Sequence, residues 1–105
     1  MKITTVNSQV SVSDQIHSND IATISDLGVT TIICNRPDGE AADQPSVEEI
    51  TAAANARNIV VVNLPFTAGK MPDSAVLVFH EIMGSGQRIH AYCRTGNRSS
   101  MIFEA

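Results

Sequence analysis

Three short apolar runs, 29–34, 59–64 and 88–92, each stop at a loop, and segments of helical period separate them. The first two, Val29-Thr30-Thr31-Ile32-Ile33-Cys34 and Ile59-Val60-Val61-Val62-Asn63-Leu64, are rich in β-branched residues and read as buried strands. Strand, helix, strand in succession, with connections this long, favours parallel pairing through right-handed crossovers. The chain therefore reads as α/β, a single domain with a mainly parallel sheet flanked by helices. Its 105 residues leave room for one core and one site. With three Phe, one Tyr and no Trp, that core is built from Ile, Val, Leu, Ala and Met.

Between the runs the punctuation is local. Gln9–Ser13 alternates polar and apolar, as a half-buried strand does. Ser18-Asn19-Asp20 offers an N-cap for a helix from Ile21 to Leu27, which Gly28 terminates. Ser46 and Glu49 have capping-box spacing for a helix running through Ala52–Ala54 towards Asn58. Pro72-Asp73 opens a third helix whose apolar face includes Val76, Leu77, Phe79, Ile82 and Met83, with Gly84-Ser85-Gly86 at its end. Asn35–Glu40 and Phe66–Met71 are loops, and Met101-Ile102-Phe103 starts a last helix.

The charge balance excludes some functions. Seven Lys and Arg against eleven Asp and Glu give a net charge of −4, which argues against binding to nucleic acid or an anionic membrane. No stretch approaches the ~20 apolar residues that span a bilayer, and the start lacks a signal-peptide apolar run. A cytoplasmic setting is the default expectation. Cys34 and Cys93 are too few for a disulfide scaffold, and His17, His80 and His90 are not spaced as metal ligands. No metal and no organic cofactor is implied.

Sites in open α/β sheets form outside the carboxyl ends of strands. That places Cys93 and the two loops, 35–40 and 66–71, at one end of the molecule. Cys93 is followed by Arg94-Thr95-Gly96-Asn97-Arg98-Ser99 and then by a helix start. A loop held between a strand end and a helix N-terminus can aim successive N–H groups inward as an anion nest. Gly96 lets the chain curl tightly, and Arg98 adds a fork of donors to the same anion. A thiol there is expected to have a depressed pKa and to act as a nucleophile.

The stretch Tyr92-Cys93-Arg94-Thr95-Gly96-Asn97-Arg98-Ser99 resembles the active-site loop of rhodanese-type sulfurtransferases. With Asn35-Arg36-Pro37-Asp38-Gly39-Glu40 and Gln44-Pro45-Ser46 added, the chain resembles a bacterial domain family, DUF442. That family is described both as the phosphatase-like domain of beta-lactamase hydrolase-like proteins and as candidate sulfurtransferases. The resemblance covers nearly the whole chain. It implies a fold like that of dual-specificity protein tyrosine phosphatases, and some members are fused to a persulfide dioxygenase-like domain. Family domains usually continue farther than the seven residues after Arg98. The resemblance therefore implies a last helix that is short, truncated or completed by another chain.

Two departures from the phosphatase pattern bear on the reaction. Phosphatases of this type place five residues between Cys and Arg, whereas four separate Cys93 from Arg98, and Tyr92 stands where a His is usual. They also need an acid for the leaving group, and Leu64-Pro65-Phe66-Thr67-Ala68-Gly69 contains none. Asp38 is the substitute candidate. Sulfur transfer needs less help, because sulfite and thiolates leave readily.

The reading that follows is a cysteine-dependent sulfurtransferase. Cys93 takes sulfane sulfur from a small anionic or persulfide donor, holds it as a persulfide, and passes it to a thiol such as glutathione. The alternative is a cysteine-dependent phosphatase working through phosphocysteine. A non-catalytic anion-sensing module is a third possibility. In the enzyme readings Cys93, Arg98 and Asp38 are catalytic, and Arg94, Thr95, Gly96, Asn97, Ser99 and Arg36 bind the anion. For Arg36 and Asp38, an ion pair or a plain turn stands beside the site role. Ser99 is expected to hydrogen-bond the thiolate or cap the helix. Cys34 is either core or a resolving thiol that forms a disulfide with Cys93. Self-association to a homo-oligomer is left open.

Overall fold

The computed structural model describes all 105 residues. Its strands are β1 (Ile3–Thr5), β2 (Val10–Ser13), β3 (Thr31–Cys34), β4 (Val60–Asn63) and β5 (Ile89–Tyr92). Its helices are α1 (Ile21–Asp26), α2 (Val47–Asn55), α3 (Asp73–Gly84) and α4 (Asn97–Glu104), with a 3-10 turn, Ser18–Asp20, leading into α1. The sheet order is β1-β2-β5-β3-β4. β2, β5, β3 and β4 run parallel, and β1 pairs antiparallel with β2.

This order decides which face each helix covers. The chain moves across the sheet in one direction from β2 to β3 to β4, and right-handed crossovers then put α1 and α2 on one face. It returns from β4 to β5, so α3 lies on the other face. The side chains follow. Ile21, Ile24, Ile50 and Ala54 pack with Ile32, Cys34 and Tyr92 in one cluster. Ala75, Phe79 and Ile102 pack with Val10, Val12, Ile33, Ile89 and Ala91 in the other. Alternate residues of β5 thus serve opposite cores, as the period of two requires.

Three local readings are corrected. β1 was not expected; it is a three-residue edge strand with two exposed positions, too short to show an alternation. α2 stops at Asn55 rather than near Asn58, because Asn58 adopts a left-handed φ of 59° that turns the chain into β4. Leu77 is 65% exposed. It lies two residues from both Ala75 and Phe79, which α3 buries, and two residues turn a helix to its opposite side. The Ser46 cap is present, its hydroxyl accepting the Glu49 N–H at 3.1 Å. No helix is long and apolar enough to cross a membrane.

One buried polar chain runs behind β5. His90 is fully buried, with Nε2 2.7 Å from Ser13 Oγ and Nδ1 2.7 Å from Ser11 Oγ. Ser13 donates its only hydroxyl proton to the Asp14 carbonyl at 2.8 Å. It must therefore accept from Nε2–H, which leaves Nδ1 to accept from Ser11. The ring is neutral, and burial pushes its pKa down from 6.5 to about 4. Above pH 6.5 neither folded nor unfolded chain protonates it. As pH falls from 6.5 towards 4 only the unfolded chain gains the proton, so stability drops. The expected loss is about 3 kcal/mol across that window, at 1.36 kcal/mol per pKa unit. Denaturant unfolding at several pH values checks this. A His90→Gln variant whose stability fell as steeply over the same range would refute it.

Candidate active site

β3 and β5 are neighbours whose connections leave for opposite faces, β3 towards α2 and β5 towards α4. The loops after them part and leave a crevice at the carboxyl edge, the place where open α/β sheets hold ligands. Cys93 is the first residue past β5, and its loop turns back into α4 within four residues. The turn depends on Gly96, whose φ is +94°. A Cβ there would also lie 3.4 Å from the Ser13 carbonyl group. Ser13 supports the loop from behind as well, its carbonyl accepting the Cys93 N–H at 3.4 Å.

The curl aims backbone donors at the Cys93 sulfur. Gly96 N–H donates to Sγ at 3.0 Å. Burial alone would raise the thiol's pKa, but the N–H groups of Ser99, Thr95, Gly96 and Arg98 together bring it below its ordinary value. Cys34, one strand away, shows the contrast. Its burial is not offset, and its pKa is raised. It donates to the Arg36 carbonyl at 3.3 Å and sits in the α1/α2 core beside Tyr92. Both thiols are free.

Arg98 is anchored end-on. Nη1 donates to Glu40 Oε2 at 2.8 Å and to the Phe66 carbonyl at 3.0 Å, and Nη2 donates to Glu40 Oε1 at 2.8 Å. Those bonds use three of its five N–H groups and leave the Nε–H and one Nη2–H, which lie along one edge. The same guanidinium faces the Cys93 sulfur. Glu40 is in turn held by Arg36, whose Nε donates to Oε1 at 3.0 Å and whose Nη1 donates to Gln15 Oε1 at 3.0 Å. Hydrogen bonds from Arg98 are the main cause that brings the Glu40 carboxyl down to about 2. Glu40 is therefore ionised at any working pH and cannot carry a proton to a substrate.

The remaining expected site residues divide. Arg36 is buried and takes the ion-pair role, behind Glu40 rather than against a ligand. Asp38 is exposed, and its Oδ1 accepts the Val47 N–H at 2.9 Å, which caps α2. It is absent from the wall of the cavity beside Arg98, where its expected role as proton donor would need it. Ser99 gives its hydroxyl proton to Asn35 Oδ1 at 2.9 Å rather than to the thiolate; only its N–H faces the sulfur. Arg94, Thr95, Asn97, Arg98, Glu40 and Ala68 line a cavity of about 290 Å³ above the loop. His90 forms no dyad with Cys93, since both its nitrogens are engaged with serines.

Two residues escaped the sequence reading. Glu40 lay in a loop already placed at this edge, and a buried arginine needs an acid from such a loop, so two candidates were available, Asp38 and Glu40. Asn35, fully buried, ties three strand ends together. It donates to the Leu64 carbonyl at 3.0 Å, accepts from Ser99, and its own N–H donates to the Tyr92 carbonyl at 2.9 Å. No local sequence signal marks it.

Comparison with known proteins agrees with this geometry. A beta-lactamase hydrolase-like protein of Xylella fastidiosa (strain Temecula1) is 24% identical over 104 residues, covering 98% of this chain and 24% of that protein. The chain thus spans about a quarter of the length of the curated relatives it matches. A crystal structure from Neisseria meningitidis, described as a candidate phosphatase, is similar at a TM-score of 0.86 and 32% identity, covering 94% of this chain and 71% of that one. TpbA of P. aeruginosa, solved with pTyr, is similar in fold at a TM-score of 0.71 and 17% identity, covering 95% of this chain and 58% of that one. The fold is that of the tyrosine and dual-specificity phosphatases. Residues 2–105 match the model for the beta-lactamase hydrolase-like protein, phosphatase-like domain, and the chain belongs to that family.

Proposed function

We propose that this domain is a cysteine-dependent phosphohydrolase, with Cys93 as nucleophile and Arg98 as the clamp on the phosphoryl oxygens. The observation that carries the reading is the Arg98 guanidinium, anchored end-on by Glu40 and the Phe66 carbonyl with its Nε–H and one Nη2–H left over, beside a sulfur that accepts the Gly96 N–H within a ring of N–H groups. A planar fork with two parallel donors matches two oxygens of one phosphoryl group. The N–H groups that stabilise the thiolate in the resting site are placed to stabilise equatorial oxygens as charge builds there. The phosphatase-like fold and the Neisseria structure support this reading over sulfur transfer, which finds no support among the relatives.

In the first step the Cys93 sulfur forms a bond to phosphorus and the bond from phosphorus to the leaving oxygen breaks. In the second, water attacks phosphorus, the S–P bond breaks, and the thiolate returns to its N–H ring. The two readings separate by the adduct they leave. Rapid acid quench of the enzyme with an aryl phosphate is expected to show a phosphoryl adduct on Cys93 by intact mass and peptide mapping. A sulfur adduct formed from thiosulfate, with no phosphoryl adduct under any aryl phosphate, would transfer the assignment to sulfur chemistry.

A further inference from the structure

Three of the loops at the carboxyl edge surround the crevice, and their ionisable side chains can be followed one by one. The cavity wall holds a single carboxylate, Glu40, which is fixed to two arginines. On the same loop Asp38 is turned to the α2 N-terminus and the exposed Asp43 is not part of the wall; Asp14, just after β2, lines a neighbouring cavity and accepts the Lys2 N–H at 2.9 Å. The loop from Leu64 to Lys70, which contributes Ala68 to the wall, contains no acid at all. Asp73 begins α3. The other polar groups of the wall are the Thr95 hydroxyl, the Asn97 amide and the Arg94 and Arg98 guanidinium groups. None of these is a proton donor of the strength an alkoxide needs.

We infer that the site acts without a general acid, so its substrates are phosphoryl compounds whose leaving group departs stably as an anion. Phosphoanhydrides and aryl esters have this chemistry, and the alkyl phosphates of serine, threonine or a sugar hydroxyl do not. This rests on the phosphohydrolase reading above. In the first step the leaving oxygen keeps the bonding pair and departs unprotonated, while the sulfur donates its own pair to phosphorus. In the second, water's oxygen forms the new bond to phosphorus, and the products are the Cys93 thiolate and dihydrogen phosphate. With no carboxylate placed to take that water's proton, the second step is slow and phosphocysteine accumulates.

The experiment is a series of substituted phenyl phosphates that differ in leaving-group pKa, followed by stopped-flow release of the phenol. kcat/KM is expected to fall on the order of tenfold per unit of leaving-group pKa, the behaviour of a loose transition state with an unprotonated leaving group. A burst equal to the enzyme concentration should precede a common slow rate, because all members share the second step. A dependence close to flat would show that an acid protonates the leaving oxygen, and would overturn the inference while leaving the phosphohydrolase reading intact. Release from no member of the series, with no phosphoryl adduct, would overturn that reading itself.

Discussion

Replacing Cys93 with Ser is expected to reduce aryl phosphate hydrolysis to background, a loss on the order of 10⁶-fold where the nucleophile is essential. The two side chains are close in size, and Cys93 is buried in a ring of N–H donors that a hydroxyl can also engage. Folding should therefore survive the change. The chemistry should not. The ring lowers the thiol's pKa below its ordinary value, but a hydroxyl starts too high for the same donors to ionise it. Neither His90, whose ring nitrogens are both engaged with serines, nor Glu40, tied to arginines, is free to act as a base. Initial rates and a melting curve on the same preparation check this. A Cys93→Ser protein that stays folded and retains a tenth of the activity would refute the role assigned to the thiol.

The second large effect concerns Arg98. Arg98→Lys keeps one positive charge but removes the fork, leaving a point charge in place of an edge that meets two oxygens. It also removes the two-point grip on Glu40, whose second partner, Arg36, bonds only one oxygen. Loss of a single aligned donor to developing charge costs on the order of 10²–10³ in kcat. The expected result is a fall near the upper end of that range, with kcat affected more than KM. Steady-state kinetics measures it, and ultraviolet absorbance of the thiolate against pH gives an independent reading. Arg98→Lys activity within tenfold of the parent would mean that the guanidinium edge does not meet the transition state.

Much of this architecture was legible because its signals are local. The strand runs, the Ser46 cap and the Cys93–Arg98 loop each occupy fewer than ten consecutive residues. What escaped depends on groups far apart in the chain. Glu40 meets Arg98 across 58 positions, and Asn35 meets Ser99 across 64. An isolated loop gives no reason to choose Glu40 over Asp38. The choice is made by α2, whose N-terminus takes Asp38 as a cap and leaves Glu40 to the arginines. The expected preference for sulfur transfer had a related cause. The four-residue spacing sets the size of the ring around the anion, and the acid-free stretch 64–69 bears on the leaving group. They do not choose between sulfur and phosphorus as the atom attacked.

The sheet order also determines when the surroundings of Cys93 come into being. β5 follows the other four strands in the chain, yet it is inserted between β2 and β3, and its contact with β2 spans as many as 79 positions. Closing so long a loop is slow, and its cost is met only once the strands on both sides are ready to receive β5. Until then Cys93 has no Ser13 carbonyl behind it, no Asn35 brace and no Glu40-held guanidinium beside it, and it is an ordinary thiol. A nascent or partly unfolded chain therefore lacks these groups, and the lowering of the thiol's pKa is confined to molecules that have completed the sheet.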